Sequence, residues 1–514
     1  MRKFSSYGPV DKDLHYYVPR KALIDRVCTQ LVGEKPEQDG HYITVWAPRQ
    51  MGKTWVMQQV LSRLGNVPTF HAAMMNVAHL GAEKDAREVM ASIANELAAQ
   101  LNVDVHNLEA MFTRKVLDKP LILILDEFDT LTHDAIEALT NIFRSVHISR
   151  SANSNQLTGE RAYLLHGLAL VGTTPLLAIE NVKVPYNIQR SFRIPNLTFE
   201  VVNDMFECYE RESGQIIERA VVERLFHETQ GHAGLTCWFG KLLTEIAKKD
   251  TPITMKEMSK ALTVSLETPN DYISQITSLV STTPRRNVVL DALGFNRATL
   301  SYHNDNLRPL YTHGVLEPGD ARLEFCYPFV QKRLFHHFAE ELFGNLEPVH
   351  APFESLDDIV TGEHLHLDLW LRRYEQYLRV NRDGLLKNAP RRPSLRVYDA
   401  IYHFNLYMTL EKFLHRYGGQ VWTEFPKEGG RIDFLIRFAG RTHGLKVRNW
   451  TSTYEYREAL GQAARYGQQL GLSEINLALF VEAVDDANRA RYETVYEDEA
   501  TGVTVKPVFV VTGV

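Results

Sequence analysis

The octapeptide Ala47-Pro48-Arg49-Gln50-Met51-Gly52-Lys53-Thr54 follows an apolar stretch, Tyr42 to Trp46, and precedes a helical pattern, Trp55 to Leu64. A strand running through such a turn into a helix forms a phosphate-binding loop, because its main-chain N–H groups and the helix end supply fixed partial positive charge. The spacing predicts that Lys53 reaches the β- and γ-phosphates of a nucleotide and that the Thr54 hydroxyl ligates Mg²⁺. Gln50, Met51, Gly52 and Trp55 complete the expected nucleotide-binding stretch. Ala47 stands where the first glycine of this pattern usually stands.

A second stretch, Leu121-Ile122-Leu123-Ile124-Leu125-Asp126-Glu127-Phe128-Asp129, reads as a strand buried on both faces that ends in acids. Open α/β sheets bind ligands at the carboxyl ends of their strands, so Asp126 is expected in the Mg²⁺ shell. Glu127 is placed to polarise an attacking water; the alternative is that these acids cap the next helix. Tyr42 to Trp46, Thr69 to Met75, Leu121 to Leu125 and Leu168 to Gly172 alternate with helical patterns, which implies a parallel sheet covered by helices. After the last of these, Thr173 is placed to sense a γ-phosphate, while Thr174 serves equally well as a helix N-cap.

At 514 residues the chain exceeds what one core accommodates. Its net charge of −6 excludes a global nucleic-acid signature, so contact with DNA or RNA would come from local patches such as Arg285-Arg286 with Arg297, Arg372-Arg373, and Arg391-Arg392 with Arg396. Cys28, Cys208, Cys237 and Cys326 lack paired metal-ligand spacing and read as reduced core thiols. No apolar run spans a bilayer and the N-terminus has no apolar signal core, so no membrane partner and a cytoplasmic location are expected. Ser149 to Glu160 is the most loop-like segment.

Residues 15 to 340 resemble a prokaryotic AAA-like ATPase family related to the STAND signalling ATPases. The likeness rests on Tyr17-Val18-Pro19-Arg20, Ala47 to Thr54, Asp126 to Asp129, Val171 to Thr173 and Asn187-Ile188-Gln189-Arg190. It implies ATP and Mg²⁺, with Tyr17, Pro19 and Arg20 beside the adenine, and it makes Arg190 a phosphate-facing arginine or a surface ion pair. Thr229-Gln230-Gly231-His232-Ala233-Gly234 resembles the family's Gly-His-Pro turn, with Ala233 replacing proline; His232 there either touches phosphate or is a satisfied polar group. The implied division is an ATPase core at 1–197, a helical lid at 198–255, a winged helix at 256–345 and a helical connector at 346–395. The winged helix rests on three helical patterns (Ile273 to Val280, Arg286 to Leu293, Asp305 to Gly314), a hairpin from Val315 to Phe325 and a helix opened by Pro328.

Residues 396–514 form a fifth segment. A helix with Glu411, the hairpin Val421 to Ile436 (with Glu424 and Asp433), the strand Thr442 to Val447 and a helix with Gln462 and Tyr466 resemble the PD-(D/E)xK nuclease superfamily. The resemblance implies Asp433 as the first carboxylate, Mg²⁺ or Mn²⁺ held by at least two carboxylates and the phosphate, and Lys446 as the lysine that positions or deprotonates water. Gly444 occupies the place of the second acid, and a glycine offers no ligand atom. The expected class is thus a multidomain α/β chain with a restriction-endonuclease-like C-terminal segment. Two readings stay open: an ATP-hydrolysing switch with a degenerate module that binds nucleic acid or a protein, and an ATP-regulated nuclease in which Glu411 or Glu424 replaces the missing acid. Either reading fits a prokaryotic defence, mobile-element or stress setting and a homo-oligomer.

Overall fold

The computed structural model describes the chain except residues 1, 6, 7, 9, 38, 39, 84, 152–156, 158, 159, 177–189, 295–305, 320, 321, 346–357, 425–432 and 514. Asn187 to Gln189, Arg297, most of Ser149 to Glu160 and the Phe425–Ile432 part of the expected hairpin therefore lie outside the described residues. The chain divides into two compact units, residues 1–272 with 302–314, and residues 273–301 with 315–514.

The first unit is built on five parallel strands, β1 (Tyr42–Trp46), β2 (His71–Asn76), β3 (Leu121–Asp126), β4 (Leu165–Gly172) and β5 (Arg190–Arg193), in the order β2-β3-β4-β1-β5. The aliphatic run of β3 supplies both faces of this sheet. Leu121, Leu123 and Leu125 join Leu168 and Leu170 on one side, and Ile122 and Ile124 join Ile43, Val45, Ala169 and Val171 on the other. All five aliphatic residues of β3 are fully buried, each contributing about 2 kcal/mol. Helices Ala86–Leu101 and His133–Ser151 cover the first face, and Lys21–Val32 and Lys53–Gly65 cover the second. Four further helices follow, Phe199–Ser213, Arg219–Thr229, Ala233–Ile246 and Met255–Glu267, capped by Thr198, by His232 and by a Thr254–Glu257 capping box.

In the second unit, helices 273–280, Thr283–Leu293 and Pro328–Phe343 flank a short hairpin of β6 (Leu316–Pro318) and β7 (Leu323–Phe325). A two-residue pair, β8 (Val360–Thr361) and β9 (His364–Leu365), precedes helices Leu367–Leu385 and Asp399–Arg416. The chain then forms a six-stranded mixed sheet from β10 (Gln420–Glu424), β11 (Asp433–Phe438), β12 (Arg441–Asn449), β13 (Glu474–Val481), β14 (Tyr496–Asp498) and β15 (Val503–Val511), ordered β10-β11-β12-β13-β15-β14. Strands β12, β13 and β15 run parallel, and helix Thr453–Gln469 crosses from β12 to β13. That helix buries Ala459, Leu460, Ala463 and Ala464 against Ile475, Leu477 and Val505. Phe335, Phe404 and Tyr407 of the Pro328–Phe343 and Asp399–Arg416 helices pack on Phe434 of β11 or on one another.

Candidate nucleotide site

The register of the first sheet places Trp46 opposite Gly172 and Asn76 opposite Asp126, so the loop after β1 and the ends of β3 and β4 share one edge. Gly52 adopts φ +83° at the N-cap of helix Lys53–Gly65, with open space where a Cβ would stand. Its glycine is therefore required by backbone conformation. Lys53 is buried and its Nζ donates to the Ala47 and Pro48 carbonyls at 3.2 and 3.3 Å. Burial pulls its pKa down, opposed by Glu127, Asp129 and Asp126.

Thr54 Oγ1 donates to Asp126 Oδ2 at 2.6 Å, which brings together the two residues expected around Mg²⁺. Asp126 is fully buried, and that burial raises its pKa while the Thr54 bond lowers it. A hydroxyl and a carboxylate oxygen at this spacing fit a hard cation that keeps its other positions for water and phosphate. Among the described residues no group of three His, Cys, Asp or Glu side chains could hold a metal ion by itself.

Glu127 has φ +58°, a left-handed conformation that costs a glutamate about 1 kcal/mol. The Thr130 hydroxyl and N–H both donate to its carbonyl, at 2.7 and 3.1 Å. Glu127 is the N-cap residue of the short 3₁₀ turn Phe128–Thr130, and its side chain makes no capping hydrogen bond. Asp129, which the sequence reading gives no role, accepts from the Thr173 and Thr174 N–H groups at 2.9 and 2.8 Å. Thr173 itself is buried at the end of β4.

The remaining expected residues divide into two groups. Tyr17 meets Trp55 edge-on with centroids 5.3 Å apart, and Arg20 donates to the Pro195 carbonyl at 2.6 Å with its pKa pulled down to about 10 by burial. Pro19 is exposed and Met51 buried. His232 is fully buried, its Nδ1 accepts from Leu235 N–H at 3.2 Å, and its ring stacks on Tyr272 at 4.4 Å. Burial depresses its pKa to about 3. Two residues on, a Cβ on Gly234 would lie 2.4 Å from Gln50 Cβ, so the His232 turn packs directly on the loop. The spacing Gly231-x-x-Gly234 was the available signal for that approach.

Arg190 does not join this group. It pairs with Ile43, three residues before the Trp46–Arg193 pair at the carboxyl edge, about 10 Å away along the strand. Its side chain is exposed and bonds Gln30 Oε1. The arginine at the edge is Arg193, whose guanidinium lies 5.4 Å from the Trp46 ring centroid and 5.0 Å from that of Tyr311. Strand register, which the sequence does not print, decides between the two.

In the second unit, β11 and β12 pair Asp433 with Lys446. Asp433 is fully buried; its Oδ2 accepts from Lys446 Nζ at 2.9 Å and its Oδ1 from Arg448 Nη1 at 3.4 Å, both cations being about 4% exposed in their side chains. The Tyr466 ring centroid lies 5.1 Å from Lys446 Nζ. Glu424 is the cross-strand neighbour of Asp433, and Lys332 pairs with it at 3.3 Å. Glu411 and Gln462 are half-buried; Glu411 acts on Tyr407, whose pKa is raised by burial first and by Glu411 next. A Cβ on Gly444 would meet Ile475 at 3.0 Å and Leu472 at 3.2 Å, an apolar surrounding. These residues do not fit a divalent cation: both Asp433 oxygens are taken by cations and the position of the second acid is walled by hydrocarbon. Arg448 was missed, although strand alternation puts it on the face of Lys446.

A family model described as an AAA domain matches residues 37–159. This segment is a P-loop ATPase domain. No curated protein matches the chain. Among solved structures the chain is similar to a Walker-type ATPase of Pyrococcus abyssi, with 12% identity, a TM-score of 0.44 and coverage of 64% of this chain and 99% of that one. It is also similar to the ORC1 protein of Aeropyrum pernix in complex with DNA (16%, 0.34, 62% and 93%). The RuvB Holliday junction branch migration motor of Thermotoga maritima gives 14%, 0.35, 62% and 95%. These likenesses are too distant to bear on individual residues. Among the described residues no helix is long and apolar enough to cross a membrane.

Proposed function

We propose that the chain is a Mg²⁺-dependent ATP-binding and hydrolysing switch that controls a C-terminal nuclease-like module able to bind but not to cut. The observation that carries the first half is the 2.6 Å contact of Thr54 with Asp126 beside Lys53 and Glu127. Mg²⁺ held by Thr54 and Asp126 would neutralise charge between the β- and γ-phosphates. Lys53 and the loop N–H groups bind and orient the polyphosphate, Glu127 orients water, and Thr173 faces the γ-phosphate. The five-part division at 197, 255, 345 and 395 is our reading of how this work is shared, with residues 198–255 as lid and 256–345 as a winged helix.

His232 supports a coupling role for the lid. Gly234 of its turn packs on Gln50, and its ring stacks on Tyr272, whose hydroxyl donates to the His313 and Gly314 carbonyls at 3.0 and 3.3 Å. Tyr272 and Gly314 are the residues at which the chain leaves the first unit. A change of lid position with nucleotide state therefore acts where the chain passes into the second unit. The closed cluster of Asp433, Lys446 and Arg448 argues against metal-dependent cleavage, which leaves binding of a nucleic acid or a protein as the role of the module. The family resemblance suggests a prokaryotic defence setting and self-association.

The test is ATP turnover and nucleic-acid cleavage measured on the full chain. Wild type should hydrolyse ATP with Mg²⁺, Lys53→Ala should lose nucleotide binding, and Glu127→Gln should bind ATP and lose about 10²-fold or more in turnover. Cleavage of plasmid or single strands with Mn²⁺ that disappears in Asp433→Ala would overturn the binding-module half.

A further inference from the structure

We propose that Asp129 is a positioning residue of the ATPase site, a clamp that fixes the Glu127 turn against the end of β4; this rests on the ATPase reading above. Glu127 lies beyond the ladder of β3, in a left-handed conformation; its N–H donates to Asp126 Oδ1 at 3.1 Å and its carbonyl opens the short 3₁₀ turn Phe128–Thr130. Its placement depends on what anchors that turn. Thr130 closes it from within, through the two bonds to the Glu127 carbonyl. Asp129 anchors it from outside, because a single oxygen, Oδ2, accepts both the Thr173 and the Thr174 N–H groups. The residue that orients water and the residue that faces the γ-phosphate are thus joined through one carboxylate.

The fit around that carboxylate is close. Its other oxygen, Oδ1, is sealed from solvent and has no hydrogen-bond partner among the described residues. A Cβ on Gly172 would stand 2.3 Å from Oδ1 and 2.6 Å from Cγ, so glycine at the end of β4 is what admits the clamp. A carboxylate held with an idle buried oxygen costs stability, which a bland capping role does not require. The charge also faces Lys53 and Glu127 across the site. Asp129 touches neither substrate nor metal in this assignment; it acts through Glu127 and Thr173.

The experiment measures kcat, ATP affinity in a Glu127→Gln background, and thermal unfolding for wild type, Asp129→Ala, Asp129→Asn and Gly172→Ala. Asp129→Ala should lower kcat by about 10²-fold, the scale of a 1 Å misplacement, with ATP affinity within about threefold of its parent because Lys53, Thr54 and Asp126 are untouched. Asp129→Asn keeps an oxygen for both N–H groups and should recover most of the rate. Gly172→Ala, which displaces the carboxylate from the other side, should reproduce the loss. The inference fails if Asp129→Ala turns over ATP like wild type. It also fails if rate, affinity and unfolding temperature fall together without rescue by asparagine, the pattern of a merely structural residue. Absence of hydrolysis in wild type would instead remove the ATPase reading, and the clamp with it.

Discussion

Replacing Asp433 by alanine separates a closed ion cluster from a metal site by the sign of its effect on stability. In a metal site carboxylates are held near one another and repel until the cation arrives, so removing one leaves the metal-free protein unchanged or stabilised. Here Asp433 is the fully buried anion between two nearly buried cations, Lys446 at 2.9 Å and Arg448 at 3.4 Å. Its removal leaves both cations without that charge, and breaking a buried pair in this way costs about 3–5 kcal/mol. Hydrogen exchange of peptides from β11 and β12 reads this locally, which avoids assuming two-state unfolding for a chain of two units. Protection in those strands should fall by about two to four powers of ten, and Lys446→Met added to Asp433→Ala should restore part of it. Unchanged protection in Asp433→Ala, or a rise in protection of wild type on adding Mn²⁺, would refute the reasoning.

Three further outcomes are expected. His232 has a folded pKa of about 3 against 6.5 in the unfolded chain. Neither state changes its protonation above pH 6.5; below it the unfolded chain takes up a proton that the folded chain refuses, so stability falls with pH by about 1.4 kcal/mol per unit. Urea midpoints between pH 6.5 and 5 should show a shallower slope in His232→Asn, with half-buried His336 and buried His403 supplying part of the remainder. Arg190→Ala should leave ATP turnover within about twofold of wild type, because surface pairs contribute little and its position lies at the far end of β5; a tenfold loss would contradict that placement. Gly444→Glu should produce no Mn²⁺-dependent cleavage and should lower stability by about 1–3 kcal/mol through overpacking against Ile475 and Leu472, read by thermal unfolding; gained cleavage would show that an intact metal site had only lacked its acid.

Local chemistry was legible where one residue type decides the outcome. Five aliphatic residues in succession can only be a strand covered on both sides, and Leu121 to Leu125 divide between two cores accordingly. Asp126 was legible because the strand ends there, and its contact with Thr54 follows from two strand ends sharing an edge. Register was not legible: whether Arg190 or Arg193 reaches the carboxyl edge depends on a three-residue offset between β1 and β5. Asp129 and Arg448 were missed because their partners, the Thr173 and Thr174 N–H groups and Asp433, are distant in sequence and belong to the fold. Gly234 was printed in the sequence, yet only the approach of the Gln50 side chain explains why a side chain is forbidden there.

The chain visits its two units alternately, leaving the first after Tyr272, returning for Tyr302–Gly314 and leaving again at Val315. Neither unit is therefore a single segment that one protease cut can release. A fragment ending at 272 lacks Tyr311, which faces Arg193, and the carbonyls that hold the Tyr272 hydroxyl. A fragment beginning at 315 lacks helix Thr283–Leu293, whose Asp291 pairs with Arg392 and whose Arg286 pairs with Glu341. A recombination junction at 272 would therefore take Tyr302–Gly314 away from the first unit, whereas one at 314 would keep the first whole and take helix Thr283–Leu293 away from the second, so neither junction leaves both units intact.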